Sequence, residues 1–408
     1  MTSAVRARLG AMMFLQYFVW GAWWVPFGTY LSHHGLDAFI GTIFSTQGWA
    51  AIIAPLFVGA IADRYFAAEK VMGVLHLGGG VALLLLPLAG ADPTAMFLAA
   101  LVVLGCYMPT IALSNTIAFN ALDDSERQFP AIRVMGTIGW IVAGLIVGAG
   151  LHAEATPVPI RLAGAVSLVY GLYSFTLPTL PPRAGAERPT VVTLLGLDAI
   201  GTMRVPSFWV LIGCSLLLML PLSFYYAYAN PYLVEIGVPA AASVQAIGQV
   251  SEIGFLLALP LFFRTIGIKG VLILGMLGWT LRYALFAHGF TDTGPVMPVI
   301  VVALALHGMC FDFFFVAGQI YVDKRFPPET RNRAQSFLAL VTWGVGSVIG
   351  SLIANAVYVA GTHGTHGTTH DWRAIWMVPA GLALVVAVIF TVAFRERRTI
   401  SINEGDMA

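Results

Sequence analysis

The chain has 408 residues, 58% of them hydrophobic and only 10% charged, with a mean hydropathy of +0.84. Soluble domains carry about 25% charged residues, so a water-soluble globular enzyme is excluded and an integral membrane protein is expected. The net charge of +1 offers no basic surface for nucleic acid.

Apolar stretches of ~17–25 residues, each able to cross a hydrocarbon layer ~30 Å thick, recur along the chain. They fall at about 9–31, 39–62, 70–90, 94–118, 131–151, 157–179, 207–233, 241–263, 270–288, 295–322, 333–360 and 373–394. The reading is an all-α polytopic membrane protein with twelve transmembrane helices. With the N-terminus inside, 18 of the 21 Lys and Arg residues fall in inner segments. Only Arg161 and Arg373 lie outside, and Arg282 lies within a span. This asymmetry predicts cytoplasmic N- and C-termini in a bacterial inner membrane.

The first span carries Gln16, Tyr17, Trp20, Trp23 and Trp24. After the second comes a G-x-x-x-D-R run, Gly59, Asp63 and Arg64. The glycine permits close helix approach and the charges can pin a helix end, which suits a gating role. The fifth span sets Arg133, Thr137 and Trp140 at i, i+4, i+7, a polar stripe expected to face a cavity rather than lipid. Interhelical hydrogen bonding is the plain alternative for Thr137, and snorkelling for Arg133.

Residues 181–206 are the longest hydrophilic stretch and read as a cytoplasmic linker. They divide an N-terminal six-helix half (1–180) from a C-terminal one (207–394), with a cytoplasmic tail at 395–408. The halves echo each other. Cys106-Tyr107-Met108 answers Cys310-Phe311-Asp312, and Phe129-Pro130 with Arg133 answers Phe326-Pro327 with Arg333. Two six-helix halves related by repetition describe the major facilitator architecture, with substrate held near the midplane between them.

Span seven brings Tyr225, Tyr226, Tyr228 and Asn230, and span eight Gln245, Gln249 and Glu252 on one face. Arg282 lies in span nine, and His307, Phe311 and Asp312 in span ten. Glu252 stands twelve residues before Arg264, Asp312 eleven before Asp323, and Arg282 thirteen after Lys269. At a rise of ~1.5 Å per residue all three sit ~16–20 Å from the inner edge, near the midplane. A charge there costs at least ~2.5–3.5 kcal/mol, so such residues usually face a cavity and work in it.

Two acids and one base at one depth suggest a transporter of a polar solute that moves protons. One acid is expected to pair with Arg282 while the other gains and loses a proton. Asp312 is the first choice for the proton, with Arg282 tuning it, and Glu252 can exchange roles with it. The alternative is a static triad locking helices eight to ten. His307 reads as a packing histidine or a proton relay. Rings with nearby amides and carboxylates suit a nucleobase or a sugar, Tyr226 among them.

Cys106, Cys214 and Cys310 all lie in spans and read as packing residues rather than a disulfide or metal framework. The outer loop with His363, His366 and His370 is rich in Gly and Thr, and reads as solvated rather than metal-binding. No Walker loop or hydrolytic triad is present, so the reading is a non-enzyme without cofactor, driven by protons.

Several segments resemble the bacterial nucleoside:proton symporter family of the major facilitator superfamily. They include Phe14-Leu-Gln16-Tyr-Phe-Val-Trp20-Gly21 and Phe129-Pro-Ala-Ile-Arg133-Val-Met-Gly136-Thr137-Ile-Gly139-Trp140. Leu194-Leu-Gly-Leu-Asp198, Leu281-Arg282-Tyr-Ala-Leu-Phe286 and Cys310-Phe311-Asp312-Phe313-Phe314 belong to the same set. The resemblance implies nucleoside uptake down a proton gradient by a monomeric carrier. It also implies that Arg133, Thr137, Gln249, Glu252, Phe311 and Asp312 surround substrate and coupling site; Phe311 with Trp140 is expected to stack on the substrate or shape its pocket. Span seven departs from the pattern, with Ser223 and Tyr226 where the family offers an amide pair; Trp140 stands where a Phe is expected. Alternatives are a symporter of the same fold for a glycoside or oligosaccharide, and a non-transporting membrane sensor.

Overall fold

The computed structural model describes residues 3–57, 66–181, 190–201, 203–362 and 369–395. They are almost wholly helical, apart from a two-stranded turn pairing Phe290–Thr291 with Gly294–Pro295. Two compact units divide the chain, Met1–Leu194 and Leu195–Ala408.

In the first unit the long helices are α1 (Ser3–Trp24), α2 (Thr46–Phe57), α3 (Ala68–Leu85), α4 (Pro93–Ala121), α5 (Ser125–Leu145) and α6 (Val158–Ser174). The sequence starts α4 in two ways. Pro93 takes the first helical position, where its missing N–H is harmless, and Asp92 caps the helix by accepting from Thr94 N at 2.9 Å and Ala95 N at 3.2 Å. Glycines fix how α3 and α6 meet. A Cβ on Gly73 would lie 3.0 Å from Gly171 O, and one on Gly171 would lie 2.9 Å from Gly73 O; Gly80 and Gly164 repeat the reciprocal contact one heptad away. Small residues let the two backbones touch where lipid supplies no hydrophobic drive.

The second unit holds α7 (Pro206–Glu235), α8 (Ala241–Ala287), α9 (Met297–Phe311), α10 (Ala317–Arg325), α11 (Pro328–Ala339), α12 (Ser347–Ala360) and α13 (Trp372–Ala393). The 47 residues of α8 would extend ~70 Å as one helix, more than twice the hydrocarbon thickness. Gly267 breaks it with φ 67° and ψ 173°, a conformation open to glycine, so α8 makes two crossings. Wider π turns join α9 to α10 (Asp312–Val316) and α11 to α12 (Leu340–Gly346).

Nine helical segments among the described residues are long and apolar enough to span a membrane. Counting α8 twice and adding α1 and the shorter α6 gives the twelve crossings of a major facilitator fold. Along α8, Leu257 and Leu261 stand exposed while Leu259 and Phe263 are buried. An apolar outer surface of that kind fits lipid rather than water. Gly59, Asp63 and Arg64 lie outside the described residues, as do His363 and His366.

Candidate functional site

Each unit carries its own cluster of polar and aromatic side chains in mid-helix. In the second unit Arg282 is fully buried. Its Nη1 donates to His307 Nδ1 at 2.8 Å, and its guanidinium lies 3.7 Å over the Tyr225 ring. Trp279 and Phe286 present their faces at 5.7 and 5.6 Å. Ring quadrupoles compensate a buried cation.

This corrects the expected pairing, in which Arg282 met a carboxylate directly and tuned Asp312. Arg282 meets His307, and the reason lies in the helix geometry. His307 and Asp312 are five residues apart, which sets them ~140° apart around a helix of 3.6 residues per turn, so one arginine cannot face both.

His307 in turn points Nε2 at Glu252 Oε2, 4.0 Å away. An arginine only donates, so His307 Nδ1 must accept, and the single ring proton of the neutral imidazole sits on Nε2. The tautomer is therefore fixed by Arg282, and the N–H it leaves is aimed at Glu252. The His307 ring thus stands between Arg282 and Glu252. The Glu252 side chain is 26% exposed. Asp312 is 1% exposed, starts the π turn, and among the described residues its Oδ2 has no hydrogen-bond partner. The two acids, equal in depth by sequence, thus stand in different surroundings.

Close packing holds this arrangement. A Cβ on Gly308 would lie 2.6 Å from both the Cα and the N of Glu252, and one on Gly248 would lie 3.1 Å from His307 Cβ. Gly308→Ala is therefore expected to prise α9 from α8, at about 1–3 kcal/mol. Its thermal midpoint in detergent should fall and uptake should fail. Gly254→Ala, with nothing within 4 Å of the added methyl, should change neither.

The other expected residues divide. Gln249 and Tyr226 are half-buried beside this cluster, and Phe311 stacks on His307 with ring centroids 6.0 Å apart. Gln245 belongs to the packing instead, because its Oε1 accepts from buried Asn230 at 2.7 Å. Tyr228 turns away to Asn355 and stacks on Tyr358 at 4.2 Å. Ser223 donates back to Met219 O at 2.8 Å. Span seven thus offers Tyr225 and Tyr226 rather than amides.

In the first unit Arg133 lies 4.1 Å over the Tyr17 ring, and Trp20 packs edge-on to Trp140 with centroids 5.5 Å apart. Arg133, Thr137 and Trp140 are all half-buried. Gly139 makes the stripe possible, because a Cβ there would strike Phe14 O and push α5 off α1. Trp23 and Trp24 are core, buried against Phe27 and Phe44.

Gln16, a weak candidate by sequence, joins a buried network missed there. Its amide donates to Thr110 Oγ1 at 2.8 Å and accepts from His76 Nε2 at 3.2 Å, while His76 Nδ1 meets Ser167 at 3.1 Å. The network ties α1, α3, α4 and α6 together. Nothing in the spacing of four residues on four helices could have revealed it.

At the far end of α7, Glu235 receives His370 Nδ1 at 2.8 Å and both neighbouring backbone N–H groups of Thr369 and His370. His370 is thus a clamp on a helix end. Among the described residues no cluster of His, Cys, Asp and Glu could hold a metal.

Twelve crossings, with polar side chains buried at mid-helix in each half and charged ones buried in the second, are those of a secondary transporter of the major facilitator type. Comparison with known proteins narrows this. A family model described as nucleoside H+ symporter matches residues 3–399, and the chain belongs to that family. It is 39% identical to the protein YegT of Escherichia coli (strain K12), over 98% of this chain and 97% of that one. It is 33% identical to the xanthosine permease and 32% identical to the nucleoside permease NupG of the same organism, each over 96% of both chains. The crystal structure of nucleoside transporter NupG superimposes with a TM-score of 0.85 at 30% identity, covering 96% of this chain and all of that one. A D-xylose–proton symporter, at 14% identity and a TM-score of 0.70, shares the fold.

Proposed function

We infer that this protein is a secondary active transporter that imports nucleosides by proton symport through alternating access. Membership of the nucleoside H+ symporter family supports the substrate class and the coupling ion. The observation that carries the mechanism is the unequal setting of the two acids. Glu252 is partly exposed with His307 Nε2 4.0 Å away, whereas Asp312 is buried and, among the described residues, its Oδ2 has no hydrogen-bond partner.

In the reading proposed, Glu252 is the substrate-binding acid. With Gln249, Arg133 and Thr137 it hydrogen-bonds the nucleoside, while Phe311, Trp140 and Tyr226 stack on it or shape its pocket. Asp312 is the proton carrier. A carboxyl in an apolar setting favours its neutral form and releases its proton when water reaches it, so the group can switch as the site changes sides. Arg282 and His307 keep Glu252 oriented. Gly59, Asp63 and Arg64 would serve the gate. The protein would sit in the bacterial inner membrane as a monomer with both termini cytoplasmic, using no cofactor beyond the proton.

The test is uptake of labelled uridine and adenosine into proteoliposomes with an inward proton gradient. Accumulation above the outside concentration that a protonophore collapses is the expected result. Accumulation of neither, by folded protein, would sink the reading. Glu252→Gln should then weaken nucleoside binding by about 10–100-fold, since a hydrogen bond to a charged group is worth roughly 1.5–3 kcal/mol. Calorimetric titration of the purified variant measures it.

A further inference from the structure

A small cavity in the second unit plays no part in the cycle above. Ser215 of α7, Phe315 of the π turn and Gln319 of α10 wall one side; Gln335 of α11 with Thr342 and Trp343 of the second π turn wall the other. Its volume is about 20 Å³. A buried water needs ≳ 10–15 Å³ and two to four polar partners. Here hydroxyls of Ser215 and Thr342 and the amides of Gln319 and Gln335 supply the partners.

Two observations give the cavity a direction. Thr342 is 2% exposed and among the described residues its hydroxyl has no hydrogen-bond partner, although buried polar groups almost always have one. Asp312, also with an unpartnered oxygen, opens the very turn whose Phe315 forms the cavity wall. Phe315 and Gln319, which line the cavity, follow Asp312 along the same helical run, through the π turn and into α10. Asp323, four residues further, is ion-paired with Arg331 at 3.3 Å in an exposed setting. The helical run therefore leads from the buried acid past the cavity to the charged end of α10.

We propose that this cavity is the proton's path off Asp312 towards the cytoplasm, with Thr342 as the positioning residue for a relaying water. The Asp312 O–H bond breaks, its proton joins the water, and the water passes one of its own protons to bulk water at the inner end of α10. Asp312 is left a carboxylate and the relaying water is unchanged. The inference rests on the reading that Asp312 carries the coupling proton.

The experiment compares native protein, Thr342→Val, Thr342→Ser and Asp312→Asn in proteoliposomes, with uridine as the probe. Gradient-driven uptake and uridine exchange at equal pH are measured on each, in H2O and D2O. Positioned proton-transfer groups contribute roughly 10²–10⁴-fold, so removing the hydroxyl that places the water should slow driven uptake by about tenfold or more. Exchange should stay unchanged, the solvent isotope effect on driven uptake should rise, and Thr342→Ser should restore the native rate. Native driven uptake by Thr342→Val overturns the path, and so does an equal loss of both modes that serine does not rescue. Full accumulation by Asp312→Asn would instead overturn the assignment of the proton carrier, whatever the Thr342 variants do.

Discussion

Asp312→Asn is expected to abolish accumulation of nucleoside against its gradient while a measurable part of nucleoside exchange survives. The asparagine keeps the size of the buried side chain and removes only its ability to gain and lose a proton. Asp312 lies 1% exposed at the start of a π turn, and among the described residues its Oδ2 has no hydrogen-bond partner. Its loss should lower the initial rate of gradient-driven uptake by about 10²-fold, the lower end of what a positioned acid–base group contributes. Exchange needs nucleoside to bind and the carrier to reorient, but no net proton flow. Loss of both modes together would assign Asp312 to substrate binding instead.

Arg282→Lys is the second large effect, although it keeps the charge. Lysine is a point charge without the planar face that stacks 3.7 Å over Tyr225, and without the fork that reaches His307 at 2.8 Å. Once Nδ1 loses its fixed donor, the ring proton can move to it, and Glu252 then faces a lone pair instead of an N–H. Nucleoside affinity should fall by at least about tenfold, a change of about 1.4 kcal/mol or more, and driven uptake with it. His307 gives the control. A glutamine there can accept from Arg282 and donate towards Glu252, so His307→Gln should keep much of the activity that His307→Leu loses. Equal activity in these two variants would show that the imidazole serves as packing alone.

Much of this was legible in the sequence because the membrane forces it to be. A charged residue inside an apolar span has few reasons to be there, so counting 1.5 Å per residue along three helices brings Glu252, Arg282 and Asp312 to one level. Depth along a helix follows from sequence, but rotation about its axis and the partner it meets do not. That is why the direct Arg282–carboxylate pair was expected and the Arg282–His307–Glu252 chain was not. The only hint was the position of His307 five residues before Asp312.

The stripe on span eight shows the same limit. Gln245, Gln249 and Glu252 share a face by spacing, yet Gln245 is taken by Asn230 from α7 while the other two stay half-buried. The π turn at Asp312 leaves no mark in composition or periodicity, and neither does the cavity beside it. Both arise where three helices meet.

The central claim is that nucleoside and proton cross together, with Asp312 carrying the proton. Its most direct test is to add uridine outside proteoliposomes that enclose a pH-sensitive dye, with no gradient imposed. Acidification of the lumen on adding uridine, absent in Asp312→Asn protein of the same fold and amount, is the predicted result. Uridine entry with no change in internal pH, or acidification that persists in the variant, would contradict it.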